Sequence, residues 1–165
     1  MGDDVDVQAV NDALALPDAG WIKDVHSDLF HSSIMFSVEV VGEHKRYTIV
    51  FSGVTAFYYI RGQGDLRFED PGHEFGPGFW AISEWTSAHY YPHGVGKLRV
   101  DAEAGSFESQ WVGRYGSNPN FAIEQLAGMF FIEARRVQID DQIFEVGYPS
   151  APPGAHEDTG SHQGS

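Results

Sequence analysis

Ser33–Ser52 reads SIMFSVEVVGEHKRYTIVFS, and this stretch decides the fold. Ile34, Phe36, Val38 and Val40 point one way in an extended chain, with Ser33, Ser37 and Glu39 opposite and Met35 among them. Gly42-Glu43-His44-Lys45 supplies a turn, and Tyr47, Ile49 and Phe51 then alternate with Thr48, Val50 and Ser52. Two alternating runs around a short Gly-bearing turn form an antiparallel hairpin with one apolar face. Gly53 interrupts the second strand and predicts a bulge or bend. Val54–Ile60 follows, apolar on both faces, and reads as the best-buried stretch of the chain.

Upstream, the period is helical. Val7, Val10 and Leu14 recur at i, i+3 and i+7, and Val5, Ala9 and Leu16 widen the stripe, so Val5–Leu16 is expected as a short helix. Asp3 or Asp4 is expected to cap it and Pro17 to end it. At about three turns it is marginal alone and must dock on the sheet. From Trp21 the period becomes two.

Downstream, Arg61–Gly78 holds seven Gly and Pro residues and reads as a loop. Phe79–Tyr91 (FWAISEWTSAHYY) is an aromatic strand, and Lys97–Glu103 with Ser106–Trp111 forms a second hairpin around Ala104-Gly105. Val112–Asn120 is a loop, and Phe121–Leu126 and Met129–Ile139 are strands. Within the last of these the apolar parity changes from Phe130, Ile132 and Ala134 to Val137 and Ile139. That change requires a bulge or a change of partner near Arg135-Arg136. Ile143–Val146 reads as a short edge strand. Phe51, Val54, Leu98, Val100 and Ile132 are expected in the core. The fold expected is α+β: a short N-terminal helix packed on a mainly antiparallel, strongly bent or barrel-like sheet of about seven or eight strands. Residues 1–148 form one domain in this reading, and 149–165 a disordered acidic tail of Pro, Gly, Ser and His.

The chain has 165 residues, 23 of them aromatic, and no cysteine. One core of ordinary size is within reach, while a disulfide framework, a thiolate metal site and a cysteine nucleophile are excluded. No apolar run reaches membrane-spanning length, and the acid-rich N-terminus lacks the basic region of a signal peptide. The expected location is the cytoplasm.

The formal net charge is −14, unevenly placed. Residues 1–28 carry seven Asp against Lys23 alone, and residues 140–165 carry five acids and no base. Such a field disfavours nucleic acid and anionic membrane and attracts a basic protein partner. Asp18, Asp24 and Asp28, beside the first strand, and Glu69, Asp70 and Glu74, in the long loop, are the acids expected to meet that partner.

Catalytic motifs are missing. GxxxxGK[ST], GxSxG and HExxH do not occur, and GQGDLRFEDPGHEFGPG opens no helix. His26-Ser27-Asp28-Leu29-Phe30-His31 and Glu84, His89 and His93 are two histidine groups without the spacing of a metal-ligand set, so neither metal nor cofactor is expected. Trp80, Trp85, Tyr90 and Tyr91 offer rings for stacking on a sugar, against the commoner use of such residues as core.

Trp21, His26, Asp28, Ile34, Phe51, Gly53, Val54 and the run Phe121–Ile139 carry a resemblance. In their order the chain resembles small uncharacterised bacterial β-rich proteins, some of which resemble immunity proteins of polymorphic toxin systems. The resemblance implies an inhibitor without catalysis, and it implies a use for the acidic ends against a basic toxin. The alternative is a small-ligand or carbohydrate-binding protein, or an enzyme, whose mouth is the 61–78 loop and the 79–91 aromatic strand.

Overall fold

The computed structural model describes residues 4–61, 84–99, 115–126 and 128–150. Helix α1 covers Val7–Leu14. It is shorter than the period suggested because Asp6, not Asp3 or Asp4, is the cap: its carboxylate accepts the Ala9 N–H at 3.0 Å. Val10, Ala13 and Leu14 form its buried face.

Strands β1 (Gly20–Asp28), β2 (Ser33–Val40) and β3 (Lys45–Ser52) follow. The hairpin read from the alternation is present in full register, from Ser33 opposite Ser52 to Val40 opposite Lys45. Its turn is a single 3₁₀ turn at Val41–Glu43, closed by His44 in the left-handed conformation. Then come β4 (Ala56–Arg61), β5 (Glu84–Trp85), β6 (Ser87–Tyr90), β7 (Leu98–Arg99) and β8 (Gly116–Ser117). The chain continues through β9 (Phe121–Gln125), β10 (Gly128–Glu133), β11 (Arg136–Ile139) and β12 (Gln142–Glu145). The short pair β7–β8 accounts for Leu98–Arg99, and the rest of the second expected hairpin lies outside the described residues.

One sheet runs β12-β11-β3-β2-β1-β5 and the other β4-β10-β9-β6, with every pairing antiparallel. Three connections within the described residues leave one sheet and enter the other: β3 into β4, β5 into β6, and β10 into β11. The two sheets therefore curl into a half-barrel rather than stacking as independent layers. Helix α1 packs on the outer strand of the smaller sheet, where the Asn11 side-chain oxygen accepts the Tyr90 N–H at 2.8 Å.

The parity change near Arg135 is a corner. Before it, Glu133 faces Ala56; after it, Arg136 faces Ser52. Three residues on one arm thus oppose two on the other, which is a bulge and a change of sheet together. Arg135 N–H donates to Ser52 O at 3.2 Å and Thr55 N–H to Glu133 O at 3.0 Å, so the ladder continues around the bend. Gly53 makes the bend with φ 65°, and a Cβ there would meet Arg135 Cγ at 2.6 Å. Gly53→Ala is expected to cost about 1–2 kcal/mol from left-handed strain alone. Urea unfolding checks this, and a loss within error would place the strain elsewhere.

The core joins both inner faces. Phe36 meets Trp85, Phe51 and Phe130 edge to face, with ring centroids 5.6, 6.0 and 5.4 Å away. Phe51 and Ile132 are fully buried as expected, and Val54 is half-buried against the cluster. The side chains of Leu98 and Val100 lie outside the described residues. Val54–Ile60 is not the best-buried stretch: β4 is an outer strand of its sheet, and Phe57 and Ile60 reach solvent. Two apolar faces in sequence did not make two buried faces, because among the described residues only β10 lies beside this strand.

Candidate functional site

Strand β5 pairs with Gly20 and Trp21 only, so among the described residues β1 has β2 as its sole partner from Ile22 to Asp28. Among the described residues β1 is therefore an edge strand from Ile22 to Asp28, while β2 is held along its whole length by β3. A register shift between Ile22 and Asp24 twists that edge, and Lys23, Asp24, Val25, His26 and Ser27 are exposed along it.

At the tip, Asp28 organises the turn. Its Oδ1 accepts the N–H groups of Phe30 and His31, both at 3.1 Å, and its Oδ2 lies 2.7 Å from His31 Nδ1. Ser32 takes φ 50°, and its carbonyl accepts the Val54 N–H at 2.8 Å, tying the tip to the Gly53 corner. This is an Asx turn reinforced by an imidazole. The turn leaves Leu29 77% exposed and Phe30 98% exposed. A phenylalanine held outward gains about 1.5–3 kcal/mol when a partner buries it. Because the turn is already ordered, little conformational entropy remains to be lost on binding.

The His31 imidazole, followed by the His31 backbone N–H, holds the Asp28 carboxyl below the usual aspartate range. The sign follows: the folded tip favours the carboxylate, so Asp28 stabilises it above the ordinary aspartate pKa. That contribution is lost as pH falls through the lowered value. The amide signals of Phe30 and His31 are expected to titrate together below the ordinary aspartate range, and Asp28→Ala to abolish that titration. Amide shifts flat through acid pH in the native chain would refute the lock.

The other acids separate. Asp24 is exposed on the open edge, as a partner contact requires. Asp18 sits in the turn after α1, half-buried; burial pushes its pKa up, while His89 and the Trp85 indole pull it back. That geometry turns Asp18 toward the interior. Glu69, Asp70, Glu74 and Trp80 lie outside the described residues. Of the proposed sugar-stacking rings, Trp85 and Tyr90 belong to the core, Trp85 against Phe36 and Tyr90 against Phe121 at 5.2 Å. Tyr91 is 39% exposed. No flat aromatic platform is assembled from the described members of this set.

The first histidine group resolves into the Asp28–His31 pair with His26 on the open edge, and the second is dispersed. His93 Nδ1 contacts the Ser150 carbonyl at 3.1 Å, and His89 stands beside Asp18 and Tyr91. Among the described residues no group of three His, Asp or Glu side chains is placed to hold a metal ion. Leu29 and Phe30 were missed by sequence reasoning. The available signal was two bulky apolar residues directly after an Asp at the end of a strand, where turn residues are normally polar.

The fold and tip together define a class: a small α+β domain in which one helix packs on a curled antiparallel sheet and the β1–β2 turn exposes an apolar tip. The chain belongs to the YxiG-like protein family, whose model matches residues 10–144. A relative in Bacillus subtilis (strain 168), "Uncharacterized protein YxiG", is 29% identical over 142 residues, covering 83% of this chain and 91% of that one. No solved structure matches. The likeness to bacterial β-rich proteins holds at this family level, and neither match speaks of immunity proteins. Among the described residues no helix is long and apolar enough to cross a membrane.

Proposed function

We propose that this protein is a non-enzymatic binding protein whose partner is a basic protein, most concretely a toxin that it inhibits as a cytoplasmic immunity protein. The observation that carries the reading is Phe30, 98% exposed on a turn that Asp28 and His31 lock. A rigid aromatic knob is the kind of residue that anchors protein interfaces when a pocket receives it. Asp24 on the adjoining open edge and the overall charge of −14 favour a pocket rimmed by Lys and Arg. The open edge Ile22–Asp28 adds backbone groups that a partner strand can pair with.

The test is a pull-down from the source cell, followed by association and dissociation rates of the captured protein across a salt series. Association is expected to slow steeply with salt while dissociation changes less. Phe30→Ser is expected to weaken binding by about tenfold to a hundredfold, the equivalent of burying one Phe, without lowering stability. Asp24→Asn is expected to slow association more than joint neutralisation of Glu157 and Asp158. Salt-independent association, or full affinity in Phe30→Ser, overturns the reading, and turnover of a small substrate by the pure protein replaces it with the enzyme alternative.

A further inference from the structure

A row of polar side chains lies at the end of the smaller sheet away from the Gly53 corner. Register places Gln125 opposite Gly128, and Gly128 opposite Arg61. Thr86 N–H donates to Glu124 O, and Ser87 stands opposite Glu124, so Thr86 falls beside Gln125 on the next segment. Gln125 is two residues beyond Ile123 and four beyond Phe121, both fully buried, so all three share the inner face. The Tyr59 hydroxyl completes the row. It lies over Gly128, where a Cβ would collide with it, so glycine is what lets the ring sit there.

This row is polar, buried and unpartnered. Gln125 is only 3% exposed, and neither its amide oxygen nor its amide nitrogen has a hydrogen-bond partner. The Thr86 and Tyr59 hydroxyls are also buried without one. Each such group costs about 1–3 kcal/mol when nothing replaces water, and folded domains tolerate few of them. The contrast within the molecule is sharp. Asn120, just as buried, uses both ends of its amide, and Glu133 accepts from Thr55 Oγ1 and from the Asn118 N–H. Buried polar atoms without a hydrogen-bond partner also occur singly on Asp18, Trp85 and Arg136, but among the described residues only in this row do such groups from three segments stand side by side.

The chemistry of the row selects a ligand. Thr86 and Tyr59 each donate and accept, and Gln125 offers two donors and an acceptor. Burial pushes the Tyr59 pKa up, so its hydroxyl keeps its proton. Thr86, Gln125 and Tyr59 are uncharged; Arg61, opposite Gly128 in the same row, is exposed, and its charge opposes the rise in the Tyr59 pKa. A run of rings bounds the interior above it: Trp85 on Phe36 at 5.6 Å, Phe36 on Phe130 at 5.4 Å, and Phe130 on Tyr59 at 4.8 Å. Paired donor–acceptor groups below an apolar aromatic wall suit a small uncharged molecule with several hydroxyls and a C–H face. A cation would be left beside Arg61 without a countercharge.

The geometry points to the Thr86–Gln125–Tyr59 row as a binding site for a small neutral polyhydroxyl molecule. It is independent of the hairpin tip and of any protein partner.

The experiment follows the Gln125 side-chain amide and the Trp85 indole N–H by ¹H–¹⁵N correlation spectroscopy while the full chain is titrated with glucose, ribose and N-acetylglucosamine, each separately. Glucose 6-phosphate serves as the charged control. A saturable shift of the Gln125 amide with at least one neutral sugar, and a weaker response to the phosphate, is expected. Gln125→Leu and Thr86→Val are each expected to weaken binding by about tenfold or more, the worth of one buried hydrogen bond. Gln125→Leu is also expected to raise the melting temperature of the free protein, because it removes an unpartnered amide. Thr86→Val keeps the test open if the first variant misfolds. Amide signals that ignore every sugar while showing exchange contacts to water would mean ordered water only, and would overturn the site. A response to the phosphorylated sugar alone would overturn its neutral class.

Discussion

Phe36→Ala is expected to lower the stability of the domain by about 3–5 kcal/mol. Phe36 stands in the middle of β2, and its ring bridges the sheets: Phe51 is on its own sheet, Phe130 on the facing one, and Trp85 at the segment that passes between them. Each edge-to-face pair contributes beyond buried area. Removing the ring leaves a cavity bordered by three other large side chains, which cannot all collapse inward from strands held in register. Ile132→Ala, by the same reasoning, is expected to cost about 2–5 kcal/mol. Urea unfolding with an unchanged m-value measures both. A loss below about 1 kcal/mol for Phe36 would mean that the two inner faces do not meet around it.

Asn120→Ala is expected to cost about 2–4 kcal/mol through polar rather than apolar groups. Asn120 is fully buried; its Nδ2 donates to Ala134 O at 2.7 Å and Gly147 O at 3.2 Å, and its Oδ1 accepts the Ala134 N–H at 3.0 Å. Ala134 is the residue at which β10 ends and the corner into β11 begins, so the normal strand partners for its N–H and C=O are gone. The asparagine replaces them. Alanine orphans three backbone groups at once. Asn120→Asp separates the charge from the shape: a carboxylate facing two carbonyls is expected to destabilise more at neutral pH than in acid. Equal losses at both pH values would show that the amide nitrogen is not the group that matters.

The same corner explains why the functional tip was harder to read than the strands. The turn at Leu29–Ser32 is held partly by Asp28, a local contact, and partly by the Val54 N–H, which comes from the bend after β3. Asp24 and Asp28 were singled out for their charge, and both lie on the edge strand β1. Their roles differ, however: Asp24 faces solvent, while Asp28 uses its carboxylate to shape the turn that presents Phe30. Asp18 carries the same formal charge and turns inward, because the turn after α1 sets it against Trp85 and His89. Charge alone does not distinguish these three environments. Burial and hydrogen bonding do.

The aromatic residues show the limit from the other side. Trp85 and Tyr90 have the composition of a stacking platform, and a two-residue strand beside Gly20 and a ring contact with Phe121 place them in the core instead. Gln125 showed nothing in sequence, since a glutamine two residues beyond a buried isoleucine fits an edge or an end equally well.

By itself the sequence determined the hairpin Ser33–Ser52 and its buried face, the existence of the N-terminal helix, the bend at Gly53, the parity change at Arg135-Arg136, and the edge strand near Ile143. Each is written in neighbouring residues: a period of two or 3.6, a glycine, or a switch of parity. Tertiary structure alone decided which segments pass between the sheets, why Val54–Ile60 is half-exposed, and why Phe30 faces outward. It also left Gln125 inside without a partner. Those outcomes depend on which strand lies beside which, as with Glu133 against Ala56 and Arg136 against Ser52, across separations that no local period encodes. Alternation states that a strand has two faces, and only the neighbours assembled around it state which face is covered.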